Sequence, residues 1–137
     1  MPLKANDTDG AISRKRIEAW AAAKEKATVV AAADEATTQS AATLLAGGPV
    51  IYTMTPSAGR ALTTPTAAQL AAAVSDEVVG TSFEFTVVNL ASATHAITLT
   101  AGASGITLVG DAVVEAATSS SFIGVFTAAD AVSIYKK

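Results

Sequence analysis

From Gly80 to Tyr135 apolar and polar residues alternate with a period of two, the signature of strands with one buried face. Phe83, Phe85 and Val87 share one phase, and Glu84, Thr86 and Val88 the other. After a polar turn, Ile97 and Leu99 point inward between Ala96, Thr98 and Thr100. Ile106 and Leu108 repeat the triplet beyond a Gly102–Gly105 turn, and Val113-Val114 is a short strand. Phe122, Gly124 and Phe126 oppose Ile123 and Val125, and Val132 and Ile134 point inward from the last strand. The predicted core is therefore Phe83, Phe85, Val87, Ile97, Leu99, Ile106, Leu108, Phe122, Phe126, Val132 and Ile134.

Upstream, residues 49–55 read as a strand with Ile51 and Thr53 opposed to Tyr52 and Met54, and Arg60 to Thr63 as a shorter one. A helix is predicted over about 65–75: Pro65 suits a first turn, and Thr66 with Gln69 forms a capping box. Short strands punctuated every 8–12 residues, with a single helix, predict a mainly β fold, an antiparallel sandwich or barrel rather than a parallel α/β sheet.

Before Pro49 the pattern differs. Ser13 can cap a helix through Arg, Lys, Glu and Ala residues, with Ile17, Trp20 and Ala21 on one face, and a helix is predicted over about 13–30. Residues 27–48 are low in complexity and read as a connector ending at Gly47-Gly48. The expected organisation is an N-terminal arm, 1–48, and a β-sandwich body, 49–137. A lone helix of that length is marginal in water, so the arm needs a surface to dock on.

Composition narrows the functional classes. Of the 137 residues half are hydrophobic, but alanine accounts for much of that half and only 5% are aromatic, so the sizeable core lies after Pro49. A net charge of −3 offers no basic stripe and argues against nucleic acid as partner. Beyond residue 45 the basic residues are Arg60, Lys136 and Lys137, and a body so poor in charge suits an assembly. There is no cysteine, no apolar run long enough to cross a membrane, and an opening MPLKANDTDG unlike a signal peptide, so synthesis in the cytoplasm is expected.

His95 is the single histidine, with no acidic residue within ten positions, and reads as a turn residue. Asp34-Glu35 and Asp76-Glu77 are adjacent carboxylates whose side chains point apart toward solvent. Gly47-Gly48 and the Gly102–Gly105 turn lack the strand–loop–helix context of a phosphate loop. Tyr52, Tyr135 and Trp20 are the aromatic candidates for a sugar platform. No catalytic, metal or cofactor site is expected. Arg14-Lys15-Arg16 is the one basic run, and with Ile17 and Trp20 it forms the predicted partner contact.

The runs RALTTPTAAQL (60–70), VGTSFEFTVVN (79–89), AITLTAG (96–102), GITLVG (105–110), SFIGVFT (121–127) and AVSIY (131–135) resemble, in that order, a β-domain of tailed-bacteriophage virion proteins. The resemblance covers about residues 49–135, and the nearest type is a head decoration, or cement, protein. It implies a self-associating jelly roll on the outer capsid surface, without an active site, bridging neighbouring major capsid subunits. A homodimer is favoured and a trimer is the other option. Gly124 stands where similar domains carry a larger apolar residue. The competing expectation is a head- or tail-fibre module that binds the host surface.

Overall fold

The computed structural model describes residues 26–74 and 77–137, and these fold into two facing β-sheets with two short helices. The strands are β1 (Thr28–Ala31), β2 (Thr37–Thr38), β3 (Val50–Met54), β4 (Arg60–Thr63), β5 (Ser82–Asn89), β6 (Ile97–Thr100), β7 (Ile106–Val109), β8 (Val113–Val114), β9 (Ser119–Ala128) and β10 (Ala131–Lys136). Helix α1 is Ala41–Leu44 and α2 is Ala67–Ala73. One sheet has six strands in the order β1-β3-β5-β9-β10-β7, and the other has four in the order β2-β4-β6-β8.

The fold is mainly β and two-layered, but strand direction departs from the antiparallel expectation. Successive strands up to β6 alternate between sheets, so that β1 and β2, β3 and β4, and β5 and β6 form three rungs. Neighbours within a sheet are then two apart in the chain and run the same way. β1–β3, β3–β5, β2–β4 and β4–β6 are all parallel, as is β7–β10. Antiparallel pairing is confined to β5–β9, β9–β10 and β6–β8. Period-two alternation reports which face of a strand is buried and is silent on direction, which is why the sequence pattern misled here.

The boundary expected at residue 48 also moves. Residues 28–30, assigned by sequence to the end of a helix, are strand: Val29 pairs with Ile51 and Val30 with Tyr52. Thr37 and Thr38 pair with Leu62 and Thr63. Val29-Val30 is β-branched and finds a sheet edge at β3, and that pairing outweighs the helical preference of the alanines around it. The body thus begins near Thr28. The rest of the predicted helix, up to residue 25, lies outside the described residues.

The core lies between the sheets. Val50, Tyr52, Met54, Phe83, Phe85, Val87, Phe122, Phe126, Val132 and Ile134 face inward from the larger sheet, and Leu62, Ile97, Leu99 and Val114 from the smaller one. Leu44 of α1 and Leu70 of α2 complete it. Full burial of one such side chain contributes about 1.5–3 kcal/mol. Ile106 and Leu108 sit on the edge strand β7 and are only partly buried against this cluster. Helix α2 starts at the expected capping box: Gln69 N–H donates to Thr66 Oγ1 at 3.2 Å, and Thr66 N–H to Gln69 Oε1 at 2.9 Å.

Gly124 is explained by its neighbour. It pairs with Phe83 across β5–β9, and a Cβ there would overlap the Phe83 ring. Phe83 stacks on Phe85, and Phe85 on Phe122 at 5.3 Å between centroids. The glycine makes room for this three-ring stack.

Candidate interaction surface

Each strand of the six-stranded sheet turns one phase of its side chains inward and the other outward, so the sequence that builds the core also builds a second face. On that outer face Val29 and Ala31 of β1 stand beside Ile51 and Thr53 of β3. Ile51 pairs with Thr86, and Thr53 with Val88. Glu84 pairs with Ile123, Ile123 with Tyr135, and Tyr135 with Val109. Val125 pairs with Ser82 on one side and Ser133 on the other, and Ser133 in turn with Thr107.

Val29 is 63% exposed, Val109 44% and Tyr135 39%, while Ile51, Val88, Ile123 and Val125 are half-buried by their neighbours in the sheet. The charge on this face, among the described residues, is one ion pair, Lys137 Nζ to Glu84 Oε1 at 2.7 Å. A broad face of aliphatic, tyrosyl and hydroxyl side chains with its single carboxylate neutralised sheds water at little electrostatic cost. Among the described residues its two edges, β1 and β7, have no strand beyond them and are able to accept one.

The four-stranded sheet presents a different outer face. Thr38 pairs with Thr63, Thr63 with Thr100, and Ala61 with Thr98. Thr98 pairs in turn with Val113, so these residues are neutral and mostly threonine.

A groove of about 480 Å³ opens between the loop after α1 and the first half of β5, lined by Leu44, Leu45, Gly47, Gly48, Pro49, Val50 and residues 82–86. It holds no titratable pair, since Glu84 is its one ionisable side chain.

The residues singled out by sequence fall in separate places. Arg14, Lys15, Arg16, Ile17 and Trp20 lie outside the described residues. Tyr52, offered as a sugar platform, is 3% exposed and belongs to the core, where burial pushes its hydroxyl above the ordinary value against a hydrogen bond from the Ser40 backbone. Tyr135 is on the outer face. His95 stands in the loop before β6, and its carbonyl accepts from Asn89 Nδ2 at 2.8 Å. No group of three or more His, Cys, Asp or Glu gathers among the described residues. No described helix is long and apolar enough to cross a membrane.

Asp34 faces solvent as expected, but its carboxylate is also bonded within the chain. Its carboxylate accepts from Arg60 Nε at 2.7 Å, from the Ser57 N–H at 3.1 Å and from the Ser57 hydroxyl. These bonds, the Arg60 one foremost and the two from Ser57 next, hold its pKa well below the usual carboxylate range. The cluster ties the β1–β2 loop to the β3–β4 turn, a bracing role between two rungs.

Sequence reasoning missed the outer face as a unit. One signal was present: β9 is apolar on both phases, Phe122 and Phe126 on one and Ile123 and Val125 on the other. A strand with a single buried face does not need the second set.

No family model, curated protein or solved structure matches the chain.

Proposed function

We propose that the protein is a structural component of a virus particle, a decoration or cement protein that lies on the outside of a tailed-phage capsid and bridges neighbouring major capsid subunits. The observation that carries this reading is the outer face of the six-stranded sheet, with Ile51, Ile123, Val125, Tyr135 and Val109 on a surface whose one carboxylate is already paired. A free, concentrated protein gains solubility from surface charge, and one that spends its life against other protein does not need it.

On this reading the outer face lies on the shell. Arg14, Lys15 and Arg16, ahead of β1, pair with acidic groups of the subunit next along. The open edges β1 and β7 serve self-association, as a dimer by preference and otherwise as a trimer. Each contact is modest, and repetition over a closed lattice turns modest contacts into a stable shell. The role is structural, without catalysis or a cofactor.

The test is the number of copies per purified particle, measured by quantitative mass spectrometry against the major capsid protein. A decoration protein is present in proportion to the shell lattice. Copies confined to a few per particle overturn the reading in favour of a fibre module that binds the host surface.

A further inference from the structure

We propose that the groove beside the first half of β5 is the seat of Trp20 of the same chain. Pairing of β5 with β9 runs from Ser82 to Val88, whereas pairing with β3 starts only at Thr86, opposite Ile51. Residues 82–85 therefore have a strand on one side alone. The direction of their backbone groups follows from the far end of the strand. There the Asn89 N–H donates toward β9, to the Thr118 carbonyl at 2.9 Å, and the Leu90 N–H donates toward β3, to the Met54 carbonyl at 2.8 Å.

Backbone groups alternate sides along a strand, so those of Ser82 and Glu84 aim into the gap where β3 has not yet begun. Among the described residues nothing bonds them there. The loop through Gly47, Gly48 and Pro49 closes the gap into the groove, and Leu44, Leu45, Val50, Phe83 and Phe85 give it apolar walls.

Apolar walls with unpaired carbonyls at the rim fit a large flat side chain carrying one hydrogen-bond donor, which describes an indole. Trp20 is the single tryptophan of the chain. The chain also leaves the described body at the right place, because the Thr28 N–H donates to the Pro49 carbonyl, on the lip of the groove, at 2.8 Å. Trp20 precedes Thr28 by eight positions. Eight residues span about 12 Å as helix and about 26 Å extended, and either length reaches a groove two strand spacings, about 10 Å, from β1. A tether so short gives an effective concentration in the millimolar range, which favours the chain's own groove over that of a second copy.

The seating concerns the free chain and does not rest on the shell reading. It divides the labour within the N-terminal segment: Trp20 anchors on the body, and Arg14, Lys15 and Arg16 are held in a fixed place for a partner.

Since Trp20 is alone, its fluorescence reports this site without labelling. In the full chain we expect blue-shifted emission, protection from acrylamide several-fold above that of free tryptophan amide, and no change on hundredfold dilution. Leu45→Arg, with circular dichroism to show the sheets intact, is expected to restore solvent-like emission. Trp20→Ala keeps the test open should the groove variant misfold, and its amide shifts relative to wild type should concentrate in residues 44–50 and 82–86. Solvent-like emission in the wild type, or shifts centred elsewhere, overturns the proposal. Protection lost on dilution also overturns it, since the seat would then belong to a second copy.

Discussion

Replacing Gly124 by alanine sets two effects against each other, and the structure says which wins. Glycine in a strand interior costs roughly 0.5–1 kcal/mol relative to alanine, so the substitution gains that much if the new methyl fits. It does not fit: an ideal Cβ would come closer than van der Waals contact to Cζ, Cε1 and Cε2 of Phe83. Phe83 is 6% exposed and stacked on Phe85, which is in turn stacked on Phe122. The ring must move, and overpacking of this kind costs about 1–3 kcal/mol. Taking the middle of each range, about 2 against about 0.75 kcal/mol, the net expectation is a loss of about 1 kcal/mol, which for a chain of this size lowers Tm by roughly 3–6 °C. Urea denaturation followed by far-UV circular dichroism reads it as a lower midpoint with an unchanged slope. Because the conflict is with one ring, Phe83→Leu should relieve it, so the double variant should be more stable than the sum of the single effects. A Gly124→Ala protein as stable as wild type, or strictly additive effects in the cycle, refutes the reasoning.

Asn89 is 1% exposed and joins three parts of the fold: its Nδ2 donates to the His95 and Val114 carbonyls, and its Oδ1 accepts from the Ala91 N–H. Asn89→Leu strands these buried backbone groups, and a loss on the order of 3 kcal/mol in unfolding free energy is expected from about 1–3 kcal/mol for each. Gln39 is the opposite case, 3% exposed with both side-chain polar atoms unpartnered among the described residues, so Gln39→Met should raise Tm rather than lower it. Asp34 has a depressed folded pKa, so its contribution is present above the unfolded value of 3.8 and fades as pH falls below it. Asp34→Asn should therefore lower Tm at pH 7, and the gap to wild type should close on titration toward pH 2.

How far the fold could be read from the sequence depended on what each pattern reports. The alternation in residues 82–89 and 119–128 is carried by phenylalanine and valine, and burial drives it, so strand positions and the inward phase were legible. The capping box at Thr66 and Gln69 was legible because it is a local device. Direction and partnering were not, since both follow from which sheet each rung enters, and nothing local to a strand encodes that choice. The strand at Thr28–Ala31 was hidden because four residues flanked by alanines carry little periodicity, and the edge of β3 that recruits them is some twenty residues away. The bracing by Asp34 was hidden for the same reason, with Ser57 and Arg60 on the next rung. The outer face needed the register, for only pairing shows that Ile123, Tyr135 and Val109 stand side by side.

The central claim is that this outer face binds the shell, and Ile123→Glu tests it most directly. Ile123 lies between Glu84 and Tyr135 in the middle of the face, so the change adds a second carboxylate there without touching the core. The measurement is co-sedimentation of the folded variant with capsids purified free of the native protein. The account predicts unchanged circular dichroism and lost co-sedimentation, while binding equal to wild type would contradict it.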